Sequence, residues 1–328
     1  MATRFEIILY GENPVALRAA GEEALDEIER LDGQLSLYRP TSEISRTNAG
    51  AAAGPVRIEP GLFRLLQHAQ RLHGESGGTF DITIAPLIRC WGFMGGTGHL
   101  PDPAELAVTR TKVGMQLMSL NEADFTVRFN QPGVMLDLGS IGKGYALERA
   151  AAVIADAGVT SAMLQGGTST AYAIGSPPDA QAWKIAIEWP KPQNTPQASL
   201  EPGAIGAEGR TADLLTVIPL KDQSLSVSAV WGKSFEAEGR IYGHVIDPRS
   251  GEPVNGALLA AVVLASATEA DAFSTALLTV GTSGLDRITR LREDMRALVV
   301  ERGENEELRI AAKGIEVRQE KAVYPTRA

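Results

Sequence analysis

The sequence predicts an α+β protein, with mixed sheets and flanking helices, and two observations carry that expectation. Runs of β-branched and aliphatic residues alternate irregularly with helical stripes, without the strand–helix–strand rhythm that builds a doubly wound parallel sheet. The length of 328 residues and a hydrophobic share of 44% allow a large core, which sets aside disordered, collagenous and repeat-built classes.

The elements follow from local pattern. Phe5 to Leu9 reads as a strand, and Leu17, Ala24, Ile28 and Leu31 recur at helical spacing behind it. Pro60 opens a second helix with the stripe Leu62, Leu65, Leu66, Ala69 and Leu72, which the glycines between Gly74 and Gly78 stop. After the turn-rich segment Gly95 to Pro103, Ala104 to Leu117 is expected to be helical. Val134 to Leu138 is expected to be a strand, followed by a glycine turn, a helix from Lys143 to Ala155 and a strand at Ser161 to Leu164. Further strands are expected at Lys184–Glu188, Leu214–Pro219, Leu225–Val230, Leu258–Ala265, Ala297–Val300 and Leu308–Ile310, with a helix from Thr268 to Val280. The segment 190–209 carries Pro190, Pro192, Pro196 and Pro202, which suit neither a helix nor a central strand and imply a surface excursion.

Charge and composition narrow the function. With 31 Lys and Arg against 40 Asp and Glu, the net charge of −9 repels polyanions, so general nucleic-acid binding is excluded while a local phosphate site is not. The single Cys90 can close no intramolecular disulfide and is expected to be a small core residue. Residues 1 to 30 mix charges throughout, so neither an export leader nor an integral membrane segment is expected there. As written, the chain suits the cytoplasm; it would suit an exported protein if a leader had been removed.

Three segments carry chemistry. In Asp137-Leu-Gly-Ser-Ile-Gly-Lys-Gly-Tyr145, three glycines admit close backbone approach and Lys143 adds a positive charge, which suits an anion. The same residues would also serve as a tight strand-to-helix turn, and they match neither a Walker loop nor a dinucleotide fingerprint. In the helix after Thr268, Asp271, Ser274 and Thr275 fall on one face at i, i+3 and i+4, three hard oxygens of the kind magnesium takes. Ordinary capping by Thr268 and acids in the first turn is the competing reading. In Gly243-His-Val-Ile-Asp-Pro-Arg-Ser-Gly251, His244 is the candidate proton acceptor; His68, His73 and His99 are more simply surface or half-buried groups.

Taken in order, these segments resemble the ApbE-like flavin transferases, the FAD:protein FMN transferases, over nearly the whole chain. The further blocks that carry the resemblance are Met1-Ala-Thr3, Leu37-Tyr38 through Ser42-Glu43 to Asn48, Gly78-Thr79-Phe80-Asp81-Ile-Thr83 to Pro86, Trp91-Gly-Phe93, and Gly166-Gly167 ending at Gly175. The resemblance implies one domain over 1–328, two-lobed, with the active site between the lobes. It implies Mg2+-dependent transfer of FMN from FAD to a Thr or Ser hydroxyl of an acceptor flavoprotein or redox-complex subunit, with release of AMP. An FAD pyrophosphatase giving FMN and AMP, or a flavin-binding protein without turnover, are the alternatives.

By the same resemblance, Asp271, Ser274, Thr275 and the Ser140 carbonyl would hold the metal. Met1, Tyr38, Thr79, Phe80, Asp81, Asp137, Lys143 and Ile246 would contact the dinucleotide, with Tyr38 against the isoalloxazine ring. His244 would activate the acceptor hydroxyl, and Lys143 would act at the phosphates. The chain departs from the family pattern at Gln165-Gly-Gly-Thr-Ser-Thr170, at Ala229 where a glycine is common, and in the segment 190–209, which resembles an insertion suited to recognising a particular acceptor.

Overall fold

The computed structural model describes residues 3–190, 214–303 and 307–317; Met1 and nearly all of the segment 190–209 lie outside them. The chain runs β1 (Phe5–Tyr10), α1 (Pro14–Leu35), α2 (Glu43–Gly50), β2 (Val56–Arg57), α3 (Pro60–Ser76), α4 (Ala85–Cys90), α5 (Pro103–Arg110), β3 (Met118–Asn121) and β4 (Thr126–Phe129). It continues with α6 (Gly142–Asp156), β5 (Ser161–Gly166), β6 (Thr170–Ile174), β7 (Trp183–Glu188), β8 (Leu214–Leu220), β9 (Gln223–Ala229), β10 (Ser234–Ala237) and β11 (Arg240–Gly243). The last elements are β12 (Ala257–Leu264), α7 (Ala267–Val280), α8 (Leu285–Thr289), β13 (Arg296–Arg302) and β14 (Leu308–Lys313).

A seven-stranded sheet in the order β1-β5-β6-β9-β12-β13-β14 organises the fold, and every neighbouring pair in it is antiparallel. Its interior strand β12, Ala-Leu-Leu-Ala-Ala-Val-Val-Leu, is buried at all eight positions because both faces are covered. Leu258, Ala260, Val262 and Leu264 join the helical core, whereas Leu259, Ala261 and Val263 meet Trp183, Ile187, Leu215 and Ile218 of the β7–β8 hairpin. The strand period of two thus divides one apolar run between two cores. The mixed α+β architecture expected from the sequence is what the chain adopts.

Helix α7 lies on the helical face over β9 and β12, with α6 beside it and α1 beyond α6. The approach of α6 to α7 depends on Gly144: a Cβ there would sit 2.1 Å from the Ala267 carbonyl oxygen and 2.8 Å from the Asp271 Cβ. Backbone cannot yield as a flexible side chain does, so Gly144→Ala is expected to cost about 3 kcal/mol of stability. Urea denaturation of the variant checks this, and an unchanged midpoint would count against the close contact.

A partly buried ion network ties α3 to α7. The Glu269 carboxylate accepts hydrogen bonds from Arg292 Nε at 2.6 Å and Arg71 Nη2 at 3.3 Å, and meets His68 Nε2 at 3.0 Å; Arg292 also reaches Glu75 at 2.9 Å. Burial alone would raise the Glu269 carboxyl, but His68 and Arg292 outweigh it and hold it at about 2, against an ordinary 4.5. Because the folded value lies below the unfolded one, this stabilisation is present above pH 4.5 and is lost as the pH falls toward about 2. It is worth about 3 kcal/mol. The stability lost between pH 7 and pH 3, followed by urea denaturation, is expected to be smaller in Glu269→Gln than in the unsubstituted chain.

Three sequence expectations are corrected. Val134 to Leu138 forms no ladder strand: Met135 makes only a single bridge to Ile84, while the Leu136 N–H donates to Asn48 Oδ1 at 2.7 Å and its carbonyl accepts from Asn48 Nδ2 at 3.0 Å. One asparagine amide replaces a neighbouring strand. The helix expected over Ala104–Leu117 stops at Arg110, because Gly114 sits at φ 137° and the chain resumes as a short 3-10 turn at Met115–Leu117. The cap of α7 is Ser266, not Thr268; its hydroxyl accepts from the Glu269 N–H at 3.2 Å and donates to Glu148 of α6 at 2.7 Å. Cys90 is buried as expected. No helix among the described residues is long and apolar enough to cross a membrane.

Candidate active site

A cavity of about 640 Å3 opens where the α6–α7 layer meets a small separate core built on Leu87, Trp91, Phe93, Val113 and Ile246. From the first side come Asp137, Ser140, Lys143, Ser228, Asp271 and Thr275; from the second come Ile84, Ile88, His244 and Ile246, with Thr79 and Asp81 between.

The α7 wall is built by helical period and by the strand beneath it. Asp271, Ser274 and Thr275 share the face turned to β9, whose polar alternation Ser224, Ser226, Ser228 meets them. Asp271 is 2% exposed, and each of its oxygens has a donor: Ser226 Oγ at 3.2 Å and Lys143 Nζ at 3.4 Å on Oδ1, and the Gly144 N–H at 3.0 Å on Oδ2. The last bond comes from the first turn of α6, where free amides favour a carboxylate. Thr275 meets Ser228 Oγ at 3.2 Å and lines the cavity. Ser274 is wholly buried, bonded to Ser228 at 2.8 Å and to the Asp271 carbonyl at 2.9 Å, so it sits behind the wall.

In the glycine turn before α6, the Gly139 N–H donates to Asp137 Oδ1 at 2.8 Å, and Lys143 Nζ donates to the Gly139 carbonyl at 3.3 Å. Burial pushes the Asp137 carboxyl up, against the pull of the Gly139 amide and Lys143. None of Gly139, Gly142 and Gly144 has positive φ. The glycine at 144 answers to helix packing rather than to ligand approach, which corrects the sequence reading of that position.

Asp81 is held from several sides: Oδ1 accepts from the Thr83 amide at 2.7 Å and hydroxyl at 2.6 Å, and Oδ2 lies 3.3 Å from His73 Nδ1. Burial pushes its carboxyl up against the Thr83 hydroxyl and His73. Thr79 reaches the cavity, but Phe80 turns its ring into the core and is 1% exposed. Tyr38, 64% exposed on the turn between α1 and α2, lies outside the cavity lining; partial burial and the Asp137 charge push its phenol up.

His244 follows β11 directly. Its Nδ1 lies 3.3 Å from the Lys233 carbonyl, and since a carbonyl only accepts, that contact places the proton on Nδ1 and leaves Nε2 bare. Burial lowers the imidazole pKa, helped by Lys233 and Lys143 and opposed by the carbonyl bond. The following turn is braced, with Gly251 at φ 77°, its N–H on the Asp247 carbonyl at 2.8 Å, and its carbonyl accepting Trp91 Nε1 at 2.8 Å. Ile246, 5% exposed, bridges Pro253 in the same turn.

Among the described residues the lining carries Asp81, Asp137 and Asp271 against the ammonium of Lys143, a balance unfavourable to a pyrophosphate unless a cation joins it. The Asp271 carboxylate and Thr275 hydroxyl are hard oxygens that fit Mg2+, an ion that takes few protein ligands and completes its shell with phosphate and water. Among the described residues no cluster of three or more His, Cys, Asp or Glu could form an all-protein cage.

The motif reading did not single out Ser226, Ser228 or Trp231 as site residues. The serines are signalled by the alternation Ser224-Leu-Ser226-Val-Ser228, polar positions at period two in a strand whose intervening Leu225 is buried. Trp231 lines the cavity and is 44% exposed, a large aromatic on the turn Val230-Trp-Gly-Lys233.

The chain resembles known proteins in sequence and in fold. An FAD:protein FMN transferase of Salmonella typhimurium is 26% identical over 92% of this chain and 82% of its own. One from Haemophilus influenzae is 29% identical over 81% of this chain and 75% of its own. The apo crystal structure of the Pseudomonas stutzeri flavinyl transferase ApbE superposes with a TM-score of 0.76 at 26% identity, covering 95% of each chain. The ApbE protein of Thermotoga maritima, 23% identical, shares the fold with a TM-score of 0.78 over 94% of this chain and 93% of its own. With the sequence profile of the ApbE family matching residues 1–299, the chain belongs to the ApbE family.

Proposed function

We propose that this protein transfers FMN from FAD to a Thr or Ser hydroxyl of an acceptor protein and releases AMP, with Mg2+ at Asp271 and Thr275. The observation that carries the reading is the placement of a bare imidazole nitrogen and a carboxylate–ammonium pair, Asp271 and Lys143, around one cavity. Phosphoryl transfer needs positioning and charge neutralisation more than covalent help from the protein. A Mg2+ held by Asp271 and Thr275 would supply charge neutralisation to that transfer.

The chain's own residues divide the remaining tasks. His244 Nε2 takes the proton of the acceptor hydroxyl as its oxygen bonds to the FMN phosphorus, and the bond from that phosphorus to the bridging oxygen breaks as AMP departs. Lys143 stabilises the charge that gathers on the phosphates, while Ser226 and the Gly144 amide hold Asp271 in place. Ile84, Ile88 and Ile246 line the side next to His244 with apolar surface, which excludes water from the reacting oxygen.

Incubation with FAD, Mg2+ and a Thr-bearing acceptor is expected to produce a flavin-fluorescent acceptor that survives denaturing electrophoresis. An acceptor that stays unlabelled across Mg2+ and Mn2+ would defeat the reading.

A further inference from the structure

Trp231 stands apart from the other aromatics around His244. Trp91 and Phe93 are each 2% exposed, and they form with Phe235 and Tyr242 a packed group: Trp91–Tyr242 centroids 5.5 Å apart, Phe235–Tyr242 5.2 Å and Phe93–Phe235 5.7 Å. Phe93 meets the His244 ring edge-on at 6.5 Å. That cluster packs beside the imidazole through Phe93. Trp231 instead leaves 44% of its surface open at the cavity.

Its backbone is tied down on both sides. Val230 is buried, with its N–H on the Leu258 carbonyl at 3.1 Å, and the Lys233 carbonyl accepts the His244 N–H at 3.1 Å. Between them Gly232, at φ 135°, passes close to the imidazole: a Cβ there would lie 3.5 Å from His244 Cε1. Open indole and bare imidazole therefore share one short, anchored bend.

In-line displacement decides what meets that indole. The attacking oxygen and the departing AMP must lie on opposite sides of the phosphorus, so polypeptide enters on the side of the base and nucleotide leaves on the other. We propose that Trp231 is a specificity residue of the acceptor site, an exposed indole platform on an anchored bend, against which an apolar side chain next to the target Thr packs. This rests on the transferase reading above. An aromatic on an anchored backbone has only two side-chain torsions to lose on binding, and such residues dominate peptide recognition.

The test uses a peptide library randomised around one central Thr, incubated with the full chain, FAD and Mg2+, with labelled products identified by mass spectrometry. The unsubstituted protein is expected to select an apolar residue beside the Thr. Trp231→Ala is expected to lose that selection and to raise KM for the best peptide about tenfold, with kcat within about twofold and FAD affinity unchanged. Trp231→Phe should restore much of the selection. Unaltered selection and KM in Trp231→Ala would overturn the platform alone, as would weakened FAD binding with unchanged selection, which would assign the indole to the flavin. A parent protein that labels no peptide, while also leaving protein acceptors unlabelled, overturns the transferase reading and the platform with it.

Discussion

Asp271→Ala is expected to lower metal-dependent AMP release about a thousandfold while the protein still folds. The substitution removes the carboxylate that shares the α7 face with Thr275 and meets Lys143 Nζ at 3.4 Å, and with it the charge that would draw a divalent cation to the site. Loss of about 4 kcal/mol of charge stabilisation corresponds to that factor. Folding is less affected because the site left behind is small, and Ser226 and the Gly144 amide lose one acceptor each. Steady-state release of AMP beside the thermal midpoint checks both halves. Equal losses of activity and stability would mean that Asp271 serves mainly to join α6 to α7.

His244→Ala is expected to slow transfer 10²- to 10⁴-fold, the usual contribution of a positioned general base, while FAD is still bound. The pH dependence carries the sign. Burial moves the imidazole below its ordinary 6.5, so the ring is neutral and able to take a proton at pH 7. Transfer should therefore fall on the acid side, through a pKa below 6.5, and His244→Ala should lose that limb. A profile of kcat/KM between pH 5 and pH 8 shows this; an acid limb that persists in the variant would assign it to another group.

The elements legible in the sequence were those whose own residues settle their burial. β12 is read from an uninterrupted apolar run, α3 from its stripe and its glycine stop, and α7 from helical period, since each buries against layers that its pattern already implies. The expected strand at Val134–Leu138 failed because the partner of Leu136 is the Asn48 side chain, 88 residues away, which no local pattern announces. Short edge pieces were equally hidden: β2 has two residues, and β10 and β11 have four each, too few for a period to emerge.

The site divides along the same line. Asp271 and Thr275 were legible because helix geometry fixes their common face, and Lys143 because it follows a glycine turn into a helix. What joins them is tertiary: the Gly144 amide on Asp271 spans 127 positions, and Ser226 on Asp271 spans 45. Phe80 shows the converse. Its neighbours Thr79 and Asp81 line the cavity, while its own ring turns into the core.

The most direct test is to separate the nucleotides and protein after incubating the chain with FAD and a Thr-bearing acceptor, once with Mg2+ and once with EDTA. The proposed transfer predicts AMP in the Mg2+ sample alone, in amounts equal to the FMN bound covalently to the acceptor. Intact FAD in both samples, or AMP matched by free FMN and an unlabelled acceptor, would contradict it.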